Sequence, residues 1–67
     1  MYLHQYEINL STLSEDEKDS LMLKIEHWAF TYPRWNPYSQ TVTFYLEESI
    51  DINSLNVPAT CQLTKLV

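Results

Sequence analysis

Sixty-seven residues with nine acids against four bases, a net charge of −5, make a single small acidic domain over 1–67, near the lower size at which a chain folds unaided. That balance repels phosphate backbones and argues against direct nucleic-acid binding. Glycine is absent altogether, which removes phosphate-cradling loops, dinucleotide fingerprints and EF-hand loops, because each needs a backbone position that only glycine tolerates.

Other classes close in the same way. Apolar runs of two or three residues are far too short for a membrane span, and the one cysteine, Cys61, allows no internal disulfide. No charged-then-apolar leader opens the chain, so the cytosol is the expected compartment. Backbone ordering opposes folding by about 1 to 2 kcal/mol per residue, which is severe for a core this small. Docking on a partner, or pairing into a homodimer, is therefore an expected source of extra stability.

The chain opens with alternation over residues 2–10. Tyr2, Tyr6, Ile8 and Leu10 fall on one side, with His4 in the same inward register, and Leu3, Gln5, Glu7 and Asn9 fall on the other, as in a half-buried strand. Ser14-Glu15-Asp16-Glu17 is then a capping box: the Ser14 hydroxyl accepts from the Glu17 backbone N–H while the Glu17 carboxylate reaches back. Glu15, Asp16, Glu17 and Asp19 sit where a helix start favours negative charge. Leu21, Met22, Ile25, Trp28, Ala29 and Tyr32 follow at helical spacing, which predicts a helix over 15–31 that Pro33 ends.

Between Pro33 and Ser39 the two prolines predict a stiff loop without regular structure. Residues 40–48 resume period two, Val42, Phe44 and Leu46 facing one way and Thr41, Thr43, Tyr45 and Glu47 the other. Residues 49–58 are rich in turn formers and read as an irregular connection with one helical turn. A last strand over 59–66 points Cys61 and Leu63 inward. The fold class that results is α+β: a βαββ domain with one helix on a three-stranded, mainly antiparallel sheet. A right-handed crossover joins its first two strands and the last two pair with each other. The sheet face away from the helix is left bare.

No motif names a reaction. His4, His27 and Cys61 lack the short paired spacings of a zinc site, and Cys61 reads as a small core residue rather than a thiolate. Neither an enzyme nor a cofactor or metal protein is expected.

The feature that stands out is the stretch from Trp28 to Tyr38, which holds five of the nine aromatic residues in eleven positions. Trp28, Phe30 and Tyr32 read in part as filler for a core that lacks large aliphatics. Arg34, Trp35 and Tyr38, held by prolines in a loop after the helix, are of the residue types that dominate protein interfaces, and Tyr32 beside them is a further candidate. Together with the acidic helix start at Glu15, Asp16, Glu17 and Asp19 they are the candidate partner-binding residues. The reading is a small cytosolic protein-binding module that inhibits or adapts a larger partner, of the type used by phages and mobile elements against host machinery. Two alternatives remain open: a domain that sequesters a nucleotide-like ligand by ring stacking, with Arg34 on its phosphate, or an acidic mimic of nucleic acid that occupies a basic cleft.

Overall fold

Alternating apolar residues drive both long strands, and each turns its apolar series toward the same helix. In the computed structural model, which describes residues 2–66, β1 spans Leu3–Asn9, α1 Glu15–Trp28, β2 Arg34–Asn36, β3 Thr41–Glu47 and β4 Gln62–Lys65. A 3-10 turn at Ile52–Leu55 lies between β3 and β4. The strands form one antiparallel sheet in the order β2-β3-β1-β4.

The sheet thus has four strands where the sequence predicts three, and the extra one, β2, lies inside the expected loop. Its two flanking prolines do not forbid it, for a reason set by register. Leu10 N–H donates to the Gln40 carbonyl at 2.8 Å and Glu48 N–H to the Tyr2 carbonyl at 3.0 Å. The even-numbered residues of β3 therefore bond to β1, and Thr41 and Thr43 turn their backbone groups toward β2. Opposite them stand Asn36 and Arg34. Positions 33, 35 and 37 consequently point outward, where a proline gives up no ladder bond.

The connectivity also differs from the expected one. β1 and β3 pair antiparallel, from Leu3 opposite Glu47 to Asn9 opposite Thr41, so no parallel crossover joins them. β4 pairs with β1 rather than with β3. The chain leaves α1 for the far edge of the sheet, turns back through the β2–β3 hairpin into the centre, and leaves the other side of β1 for the last strand.

The helix stops at Trp28, three residues before the predicted end and five before Pro33. Ala29 still donates its N–H to Ile25 but has extended backbone angles, φ −65° and ψ 140°. The next N–H, on Phe30, goes to the Tyr45 carbonyl at 2.9 Å. A bond to the sheet thus takes the place of the next helical one, and Tyr32 is carried off the apolar stripe.

Tyr6, Ile8, Leu10, Val42, Phe44 and Leu46 form the sheet side of the core, closed by Leu13, Leu21, Ile25, Leu55 and Cys61. The rings of Tyr6 and Phe44 stack with centroids 5.9 Å apart. Five residues predicted inward are not. Trp28, Phe30 and Tyr32 are exposed because the helix ends at Trp28 and the chain turns off toward the sheet edge. Tyr2 is 75% exposed because it precedes β1 at the end of the sheet, and Leu63 is 39% exposed on the edge strand.

Candidate functional site: the groove between α1 and β2

The hairpin is shaped locally by side chains that replace glycine. Asn36 Oδ1 accepts from the N–H groups of Tyr38 at 3.0 Å and Ser39 at 3.3 Å, bending the chain into an Asx turn. The Ser39 and Thr41 hydroxyls lie 2.7 Å apart, and Gln40 closes the loop in the left-handed region at φ 55°. From that position Gln40 Oε1 accepts from Lys18 Nζ at 3.0 Å, tying the helix to the hairpin.

Because side chains alternate across a strand, β2 sends its residues to opposite faces. Trp35 stands opposite buried Val42 and lies on the helix side, while Arg34 stands opposite Thr43 on the other face. Trp35 is 43% exposed, since α1 covers the centre of the sheet and not its β2 edge. The uncovered strip is a groove of about 410 Å³, floored by Leu10, Met22, Pro33 and Trp35 and flanked by Tyr32. Its helix wall carries Glu15, Lys18, Asp19 and Glu26. Positions 15, 18, 19, 22 and 26 are one face of a helix, so the wall follows from the 3.6-residue repeat.

Four of the eight candidate residues meet here: Tyr32, Trp35, Glu15 and Asp19. The others do not. Asp16 and Glu17 lie on the opposite flank of α1, beside Lys24 and Asn56, in a shallower hollow of about 280 Å³. Arg34 lines a third hollow, of about 210 Å³, with Gln5, Thr43 and Tyr45 on the sheet face away from the helix, and Tyr32 borders that one as well. Tyr38 is 98% exposed at the tip of the hairpin. Arg34 and Trp35 therefore lie on opposite faces of the sheet, and the four acids surround the first turns of the helix instead of lining one strip.

Glu17 has a structural task. Ser14 N–H donates to Glu17 Oε1 at 3.0 Å and Glu17 N–H donates to Ser14 Oγ at 3.3 Å, the reciprocal pair of the capping box. The backbone N–H of Ser14 and then its hydroxyl hold the Glu17 carboxyl below its ordinary value. Lys18 and Glu15, 3.5 Å apart, are the one ion pair among the described residues.

Lys18, Met22 and Glu26 complete the groove but were not among the sequence candidates. The signal for them was available as the i, i+3, i+4, i+7, i+11 series from Glu15. It becomes meaningful only once β2 is known to lie beside that face. No set of His, Cys, Asp and Glu among the described residues is arranged to hold a metal, and no helix among them is long and apolar enough to cross a membrane. The chain matches no family model, no curated protein and no solved structure.

Proposed function

We propose that the protein is a cytosolic, non-catalytic module that binds a larger protein through the α1–β2 groove and inhibits or adapts it. One observation carries this reading: Tyr32 and Trp35 both remain exposed where they line one groove, in a domain whose core is already closed without them. Large rings left in water beside a concave strip are favourable places for a partner to remove apolar area from solvent. Stacking a nucleotide-like ligand on the aromatic residues with Arg34 on its phosphate, or presenting an acidic strip in imitation of nucleic acid, would each draw on groups that here lie on different faces or flanks, which favours the protein-contact reading.

Affinity capture from a lysate with the wild-type chain and with Trp35→Ala, Tyr32→Ala and Arg34→Ala variants tests the proposal. The expected result is loss of a specific protein with Trp35→Ala while the circular dichroism spectrum is unchanged. Retention of every captured protein by folded Trp35→Ala and Tyr32→Ala variants would refute it. Size-exclusion light scattering on the same samples reads whether a homodimer forms.

A further inference from the structure

We infer that the α1–β2 groove receives a basic side chain, lysine or arginine, presented by the protein partner; the inference rests on the reading of the groove as a protein-contact site. The walls and the floor of the groove ask for different halves of one residue. The floor is apolar and aromatic, with Leu10, Met22 and Trp35, and suits an alkyl stem. The helix wall holds three carboxylates, Glu15, Asp19 and Glu26, against one ammonium.

That ammonium is already engaged. Lys18 Nζ donates to Gln40 Oε1 at 3.0 Å and lies 3.5 Å from Glu15, and its side chain is partly buried against the hairpin. Among the described residues, neither Asp19 nor Glu26 forms an ion pair. An incoming cation therefore meets two unneutralised carboxylates in a groove that the Trp35 indole also lines, and aromatic ring and carboxylate both attract positive charge. An acidic segment would be repelled by the same wall. A purely apolar segment would leave those carboxylates to be partly desolvated without compensation. Charge complementarity thus selects the cationic occupant, and a volume of about 410 Å³ accommodates one long side chain.

The probes are N-acetyl-arginine amide, N-acetyl-lysine amide and the neutral isostere N-acetyl-norleucine amide, each titrated at millimolar concentration into the isotopically labelled full chain and followed by heteronuclear NMR. The two cations are expected to shift the Trp35 indole N–H and the amides of residues 15, 19, 22 and 26, in a salt-sensitive manner, with norleucine producing much less. Asp19→Asn with Glu26→Gln is expected to abolish the difference between cation and isostere. Lys18→Met, which removes the one positive charge of the wall, is expected to tighten cation binding about two- to fivefold, the range of an exposed charge pair. Equal shifts with all three probes, cation shifts that map elsewhere, or an unaltered cation preference in the double variant would each overturn the inference. The contact reading is judged separately: if Trp35→Ala loses a captured protein that Asp19→Asn/Glu26→Gln retains, the groove is still a contact site and the cation is not what it holds.

Discussion

Lys18 and Gln40, twenty-two positions apart, meet through a hydrogen bond of 3.0 Å from Nζ to Oε1. This bond links α1 to the turn of the β2–β3 hairpin. It also holds a charged donor on a neutral amide, a type of bond that contributes modestly when partly exposed. Lys18→Met keeps the alkyl packing and removes the bond. It should lower stability by about 1 kcal/mol, a fall of several degrees in the thermal midpoint at this chain length. Differential scanning calorimetry checks it.

The prolines at the sheet edge lead to a second expectation. Pro33 and Pro37 flank Trp35 at the outward-pointing positions of β2, so only Trp35 offers an unpaired strand donor there. An edge protected in this way resists addition of a further strand. Pro33→Ala with Pro37→Ala restores two N–H groups along that edge. The double variant should aggregate faster than wild type at equal concentration, read by light scattering and thioflavin fluorescence, while a lysine added at Tyr38 should slow it again. Equal aggregation rates would show that the prolines do not guard the edge.

At the helix start, pH should act through Glu17. Its carboxyl is held below its ordinary value of 4.5 by the Ser14 N–H and hydroxyl. The folded form then binds fewer protons than the unfolded chain in the interval between the two values, so stability falls as the solution is acidified. The contribution is complete above 4.5 and is lost as pH drops through the lower folded value. Glu17→Gln should flatten this part of the pH profile, measured as urea midpoints from about pH 6 down to about pH 3. Ser14→Ala removes the hydroxyl half of the box and should cost about 1 kcal/mol near neutral pH.

Within the interior, Phe44 is the largest fully buried side chain and stacks on Tyr6. Phe44→Ala should cost about 3 to 5 kcal/mol, comparable to the whole stability expected of a domain this small. The variant should be largely unfolded by circular dichroism. Tyr38→Ala, by contrast, alters an exposed tip ring and should stay within about 0.5 kcal/mol of wild type. Chemical denaturation of the two side by side distinguishes a core ring from a surface one.

Particular residues show what was readable in the chain itself. The Ser14–Glu17 capping box is a contact between neighbours, so four consecutive residues were enough to announce it. The inward series Tyr6, Ile8, Leu10 and Val42, Phe44, Leu46 was readable for the same reason: strand periodicity is local and each series faces a single core. The turn at Ile52–Leu55 followed from its Asp and Asn residues, with Asp51 accepting from the Asn53 N–H at 2.9 Å and Asn56 left-handed at φ 51°. Tyr38 is exposed at the hairpin tip as its place beyond Pro37 suggests, whereas Trp35 is exposed for a reason the prolines do not give, its position on an edge strand that α1 does not cover.

Tertiary structure alone decided the rest, because it turns on which strands find each other. Residues 34–36 carry too little pattern to announce a strand; they become one because the odd-numbered backbone groups of β3 are left unpaired on that side. The same pairing placed Arg34 and Trp35 on opposite faces, drew Phe30 out of the helix to meet Tyr45, and gave the edge of β1 to β4. Local propensity set the α+β character, the cap and the inward faces. The partner of each strand, and with it the groove shared by Glu15, Asp19, Glu26 and Trp35, was fixed by backbone hydrogen bonds between distant segments, whose energies no short stretch of sequence contains.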